Sequence, residues 1–185
     1  MAFQWYSSQS TDKTEQYHYT VVKKFKHFEI RQYEPALFST ITMAEQPYRT
    51  AASNGFRVLA GYIFGGNQNG EKIAMTSPVS MQMSDSMRMS FMVPRGYSKD
   101  DLPKPNDDRI QFEEQPARIV AAIQFGGWAD DEKITHYKDK LLQYMQEEGL
   151  TAIGPYNFLG YNPPYEVINR RNEIIIEVDY PKGAS

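Results

Sequence analysis

The sequence predicts an α+β fold. Two pseudo-symmetric β-α-β-β repeats form a distorted eight-stranded, antiparallel-rich barrel with two helices outside it. Three observations lead there. Most apolar stretches alternate with period two, as strands do, while 47–64 and 130–149 have helical spacing. The order strands, Pro-Ala, strand, helix, two strands occurs twice, with Pro35-Ala36 and Pro116-Ala117 as its markers, an offset of roughly eighty residues. Each unit has one helix to cover a sheet and could not bury that sheet alone, so the two halves should close on each other. The repeats run over about 17–94 and 109–180 of a single domain, 17–180. Residues 1–16 read as a polar N-terminal tail and 181–185 as a C-terminal tail.

In chain order, Tyr17, Tyr19 and Val21, then Phe28 and Ile30, alternate with polar neighbours and predict two strands with a turn at 23–27. A third strand covers 35–43, with Pro35 where a missing N–H does least harm. Pro47 is placed to open a helix whose apolar face is Tyr48, Ala52, Phe56, Leu59 and Ile63, ending by Gly65-Gly66. Strands at about 71–83 and 87–93 follow, then a polar loop, 98–108, with Pro103 and Pro105. Strands resume near 109–113 and 116–125. Asp130 is a good N-cap for a second helix with Ile134, Tyr137, Leu141, Leu142 and Met145 as its stripe, and Gly149 ends it. A strand near 156–161, a Pro163-Pro164 turn and a last strand, 173–180, complete the chain, with Ile174, Ile176, Val178 and Tyr180 on one face.

Composition narrows the function. An apolar fraction of 41% and a charged fraction of 23% in 185 residues are those of a soluble globular protein. A net charge of −3 gives no electrostatic reason to expect nucleic acid or an anionic membrane, and no apolar run approaches the ~20 residues of a bilayer span. The absence of cysteine excludes disulfides, thiolate catalysis, iron–sulfur clusters and cysteine-type zinc sites. Residues 1–8 carry neither the basic nor the apolar region of a signal peptide, so a cytoplasmic location is expected, or a periplasmic one if the native N-terminus was trimmed.

Six of nine methionines lie between Met75 and Met92. If Ser84-Asp85-Ser86 is a hairpin loop, Met83 faces Met87, Met81 faces Met89 and Val79 faces Phe91, all on one side. Such a face is a core that uses Met as gap-filler, a soft wall for a polarizable ligand, or a thioether copper(I) site, the last with no nearby His or Cys to complete it. His18, His27 and His136 make no zinc spacing. His18 and His27 lie on or beside the first two strands, where each is either a surface residue or an axial ligand to a heme iron. No Gly-x-Ser-x-Gly and no phosphate loop is present, and no catalytic constellation assembles. Glu173 and Glu177 share a strand face, read as solvated, with a glutamate in a ligand cleft as the other reading. Arg170-Arg171-Asn172 is either a polar turn or a cationic rim for carboxylates, and Arg57 beside the first helix's apolar stripe could act in the same way.

Three motifs in order then resemble one family. They are Phe28-Glu-Ile-Arg-Gln-Tyr-Glu-Pro35-Ala36, then Gly65-Gly66-Asn67 with Lys72-Ile-Ala-Met-Thr-Ser-Pro-Val79, and last Gly160-Tyr-Asn-Pro-Pro164 with Arg170-Arg171-Asn172-Glu173. The chain resembles the SOUL/heme-binding protein family over about 17–180. The resemblance implies the two-repeat barrel, related to GyrI-like small-molecule-binding domains. It also implies binding of heme or another tetrapyrrole in a shallow apolar cleft beside the first helix. There Phe56, Leu59 and Ile63 would be contacts, and Arg57 a propionate partner. Neither that helix nor 72–79 contains a histidine, which favours loose packing and propionate pairing, or a ligand other than heme. The expected function is therefore a soluble tetrapyrrole carrier, buffer or scavenger without enzymatic activity. The alternatives are a GyrI-like sensor or hydrolase with a cleft glutamate such as Glu177, and a protein-interaction module.

Overall fold

The computed structural model describes residues 14–163, 166 and 168–181. Most of the N-terminal tail, residues 182–185 and Pro164 of the predicted Pro163-Pro164 turn lie outside these. In chain order the elements are β1 (Glu15–Gln16), β2 (Tyr19–Lys24), β3 (Glu29–Tyr33), β4 (Ala36–Ala44) and α1 (Tyr48–Ile63). Then come β5 (Thr76–Ser77), β6 (Val79–Met83), β7 (Ser86–Met92), β8 (Gln111–Gln115) and β9 (Arg118–Phe125). The last are α2 (Asp131–Glu147), β10 (Ala152–Gly160) and β11 (Asn172–Val178).

Nine strands form one antiparallel sheet in the order β2-β3-β9-β11-β10-β6-β7-β4-β8. The repeat is visible in that order. Outward from the β10–β6 seam, β11 matches β7, β9 matches β4 and β3 matches β8, which leaves β2 as a ninth strand on one edge. The Pro-Ala markers explain the curvature. Glu34-Pro35 alone joins β3 to β4, and Pro116-Ala117 alone joins β8 to β9, yet each pair stands six places apart in the sheet. Six spacings would be roughly 29 Å in a flat sheet, while two linking residues reach about 11 Å. The sheet must therefore curl back on itself. It forms a half-barrel whose free edges are β2 and β8.

The helices cover one face, α1 over β4 and β7, α2 over β9, β10 and β11. The buried face of α1 is Ala51, Gly55, Leu59, Ala60, Tyr62 and Ile63, rotated from the predicted stripe so that Ala52 and Phe56 are only half-buried. Small residues decide this. A Cβ on Gly55 would lie 2.9 Å from Met43 Cε and 3.0 Å from Met89 Sδ, so the helix sits directly on the methionine face. That face has the expected register, Met83 opposite Met87, Met81 opposite Met89 and Val79 opposite Phe91. Met81, Met87, Met89 and Phe91 are buried core residues. Of the readings of that face, the core that uses methionine as gap-filler is the one found, because the helix occupies it.

In α2, Ile134, Leu141 and Met145 are buried, but Leu142 is 38% exposed, one helical step off the stripe. Asp130 caps α2 by accepting from the Lys133 N–H at 2.8 Å, and Gly149 follows with φ 71°. Pro47 is the N-cap of α1, not its first helical residue, and makes no side-chain cap. The cap comes from the other repeat, where Asp131 Oδ1 accepts from the Tyr48 N–H at 2.9 Å. The predicted strand 71–83 is shorter and broken, β5 and β6 being separated by Pro78 after a cis peptide bond. The Gly-rich turn is structural. Asn67 is buried and donates to the Tyr62 and Glu71 carbonyls, while its Oδ1 accepts from the Asn69 and Glu71 N–H groups.

Candidate functional site

The face of the sheet away from the helices is also buried, and it is polar at its centre. Strand alternation sends Ile174 and Ile176 of β11 to the helix side and Glu173, Ile175 and Glu177 to the other. Glu173 is 0% exposed. Its carboxylate accepts from Arg31 Nη1 at 2.8 Å, Tyr161 Oη at 2.9 Å, and Arg171 Nε and Nη2 at 3.0 and 2.7 Å. Those four donors match the roughly four lone-pair sites of a carboxylate. Arg31 also donates to Glu29 at 2.9 Å and lies over the Tyr19 ring at 4.2 Å, and Arg171 lies over Tyr161 at 4.0 Å and donates to the Tyr19 hydroxyl.

The cluster shifts its members' titration. Burial works against the Arg31 and Arg171 guanidiniums, but the charge and hydrogen bonds of Glu173, with Tyr161 beside Arg171, outweigh it and hold both above the ordinary arginine value. Burial pushes Tyr161 up, with Tyr33 and Glu173 adding to it, and pushes Tyr33 up to about 12. The reading of Glu173 and Glu177 as one solvated face is corrected for Glu173. Glu177 is exposed.

Arg170 and Arg171 do not form an open rim. Arg170 donates to the carbonyls of Pro163 and Glu166 at 2.9 and 2.6 Å, and its guanidinium stacks on Trp128 at 4.2 Å. Burial, its largest influence, lowers its pKa. Arg171 belongs to the Glu173 cluster. Leu59 and Ile63 are buried under α1 and present no open surface, while Phe56 is half-buried with its ring 5.3 Å from that of Phe91. Arg57 is exposed on the outer face of α1, together with Arg49, Ser53 and Gly61 at four-residue spacing. That helix contains no acidic residue, and among the described residues neither arginine is in an ion pair.

His27 is exposed and stacks on Tyr144 of α2 at 4.6 Å. His18 is exposed between β1 and β2, and its carbonyl accepts from the Glu34 N–H. Neither histidine is on α1. The described residues contain no group of three His, Cys, Asp or Glu side chains able to hold a metal ion. The hollow between α1 and 73–76 measures only about 10 Å³, no more than one water. No described helix is long and apolar enough to cross a membrane.

The model of the family described as SOUL heme-binding protein matches residues 14–177. Heme-binding protein 1 of Xenopus laevis is 28% identical over 155 residues, covering 80% of this chain and 81% of its own. Heme-binding protein 2 of Homo sapiens is 27% identical over 156 residues, covering 80% and 76%. Among solved structures, the EcmrR C-terminal domain superposes with TM-score 0.66 at 10% identity, covering 88% of this chain and 99% of that one. A hydrolase from Listeria innocua does so with TM-score 0.60 at 11% identity, covering 85% and 94%. At such identities the likeness shows a common fold, the curled antiparallel half-barrel with two helices of GyrI-like type.

Proposed function

The chain belongs to the SOUL heme-binding protein family, and we propose that it holds a heme or related tetrapyrrole non-covalently on the outer face of α1, as a carrier, buffer or scavenger. The observation that carries this reading is the composition of that face. Arg49 and Arg57 are two turns, about 12 Å, apart, with Ser53 between them and no carboxylate on the helix to compete. A side-chain Cβ built on Gly61 meets nothing within 4 Å, so the face is flat at that point. Arg57 is the propionate partner and half-buried Phe56 the aromatic edge, while Leu59 and Ile63 are buried beneath the helix and offer that ligand no contact. A tetrapyrrole supplies a flat apolar ring and carboxylates; the two arginines match the carboxylates, and Phe56 with the flat stretch at Gly61 receives the ring edge. Burying about 300 Å² of its apolar surface would contribute roughly 7 kcal/mol before association costs, so propionate pairing with the arginines has to supply the rest of a micromolar affinity.

A cation-reading site at Glu173 has less support, while Glu177, the glutamate named for that alternative, is exposed. The Glu173 carboxylate is occupied by two arginines and a tyrosine, which leaves no lone pair for a cationic ligand. Titration with hemin and with metal-free protoporphyrin tests the proposal. Saturable binding of both with similar affinity, weakened about tenfold in Arg57→Glu and unchanged in His18→Ala and His27→Ala, is the expected result. A protein that shows no saturable Soret shift at tens of micromolar, or one that loses hemin binding only in a histidine variant, would sink it.

A further inference from the structure

Where Pro116-Ala117 crosses the curled sheet, the ends of β9, β10 and β11 border a depression of about 280 Å³. Its charged walls are Arg118, Glu177 and Asp179, and its apolar walls are Ile119, Ile153 and Tyr180. Val120 pairs with Glu177 across the β9–β11 ladder, so Arg118, two residues earlier on the same face, is a diagonal neighbour of that glutamate. Opposite charges so placed usually pair. Among the described residues, however, no ion pair joins Arg118 to Glu177 or to Asp179. The Arg118 Nε is buried without a hydrogen-bond partner, and Tyr33, whose hydroxyl faces Arg31 and Tyr161, stands opposite Arg118 on β3. The hydroxyl of Tyr17, whose ring lies 4.4 Å from that of Tyr33, faces the Arg118 guanidinium. Ile153 is 47% exposed on the rim.

We propose that this depression is a second small-molecule site, for a zwitterion with an apolar body. The carboxylate lies on Arg118, the ammonium on Glu177 and Asp179, and the apolar part on Ile119, Ile153 and Tyr180. The sign pattern selects the class. An anion alone would face two carboxylates, and a cation alone would face the guanidinium. Size selects within the class. Ligand pockets for drug-sized molecules run from roughly 300 to 1,000 Å³, so this one suits a ligand the size of an α-amino acid. The site lies on the second repeat's strands with Gln32 of β3 beside them, whereas α1 covers β4 and β7, so it stands independently of the tetrapyrrole proposal.

Amide NMR with three probes tests it: L-phenylalanine, 3-phenylpropanoate, which lacks the ammonium, and 2-phenylethylamine, which lacks the carboxylate. Saturable shifts for phenylalanine at Ile119, Ile153 and Tyr180, with each analogue weaker by about tenfold or more, are expected from the loss of one charge-assisted contact. Arg118→Gln should erase the preference for phenylalanine over phenylethylamine, and Glu177→Gln the preference over phenylpropanoate. The dispersed spectrum of each variant reports that it is folded, and the analogue series on the unaltered protein does not depend on either variant. The proposal is overturned if phenylalanine gives no saturable shifts, if the three probes bind alike, or if the shifts map elsewhere. It is equally overturned if Arg118 and Glu177 prove strongly coupled in a stability double-mutant cycle while phenylalanine leaves the spectrum unchanged.

Discussion

Glu173 and Ile174 are chain neighbours on β11, both fully buried, and they face opposite sides of one sheet. The helix side is held by shape. Ile174, Ile176, Met81, Met89 and Phe158 belong to one apolar cluster there, with the flexible methionines filling the space under Gly55 and its helix. The other side has a smaller apolar cluster, with Phe38, Met92, Val120, Leu159 and Ile175, and adds to it a polar centre in which Arg31, Arg171, Tyr161 and Tyr19 surround one carboxylate. A repacked apolar face can relax around a missing group, but a buried carboxylate–arginine cluster cannot, because each member's desolvation is offset only by the others. The two faces should therefore fail differently.

The largest effect is expected at Glu173. Glu173→Ala strands Arg31, whose side chain is 4% exposed, and should cost about 3–5 kcal/mol in urea unfolding. Ile174→Ala leaves a cavity on the helix side and should cost about 2–5 kcal/mol. The Ile174 variant should lose the same amount at pH 5 and pH 8, as a purely apolar loss does. A Glu173 variant no more destabilised than a surface substitution would show that the cluster is not what holds the second face.

Alkaline pH gives the next effect. Burial holds the Tyr33 hydroxyl at about 12, against an ordinary value near 10, so the unfolded chain gives up this proton first. The contribution of Tyr33 is then fully present below pH 10 and is lost as pH rises toward 12, at about 1.4 kcal/mol per pH unit. Tyr62, on the helix side, is held at about 12 by burial as well. Tyr33→Phe and Tyr62→Phe should each flatten the fall in stability between pH 10 and 12 by that slope. Unchanged slopes in both variants would count against buried phenols as its cause.

Much of this contrast was legible in the sequence on one side only. The methionine register followed from period-two spacing around Ser84 and Asp85, because a hairpin's pairing is local. The Pro-Ala repeat foretold the two halves, though not that these dipeptides cross the curled sheet. Glu173 looked like half of a solvated pair because nothing near it in sequence announces burial, and Arg31 lies 142 residues away. The motif Arg170-Arg171-Asn172-Glu173 did point there. Its arginines face inward to a carboxylate, a glutamate carbonyl and a tryptophan, where the sequence suggested an outward rim. The Gly65-Gly66-Asn67 signature proved to be a turn built around one buried asparagine. At Gly66 a Cβ would come 2.5 Å from the Gly61 carbonyl oxygen, so Gly66→Ala should destabilise by about 1–3 kcal/mol through overpacking against backbone. A neutral Gly66→Ala variant would mean that the turn relaxes freely.

The smallest expected effect lies at the helix starts. α2 caps itself through Asp130, while α1 has no cap of its own and receives the carboxylate of Asp131 across the repeat boundary. Both caps are exposed, so Asp130→Ala and Asp131→Ala should each cost only about 1 kcal/mol or less. Their location should differ. Asp130→Ala should speed amide exchange at Lys133 in α2. Asp131→Ala should speed it at Tyr48 in α1, 83 residues away in sequence. Asp131→Asn keeps an acceptor for the Tyr48 N–H but loses the charge that favours both helix N-termini, so it should fall between wild type and alanine. If Asp131→Ala loosens only the first turn of α2, the residue acts through the dipole of its own helix, and the two repeats are not joined by a shared cap. If Tyr48 responds, one carboxylate couples the start of the proposed ligand-bearing helix to the opposite repeat.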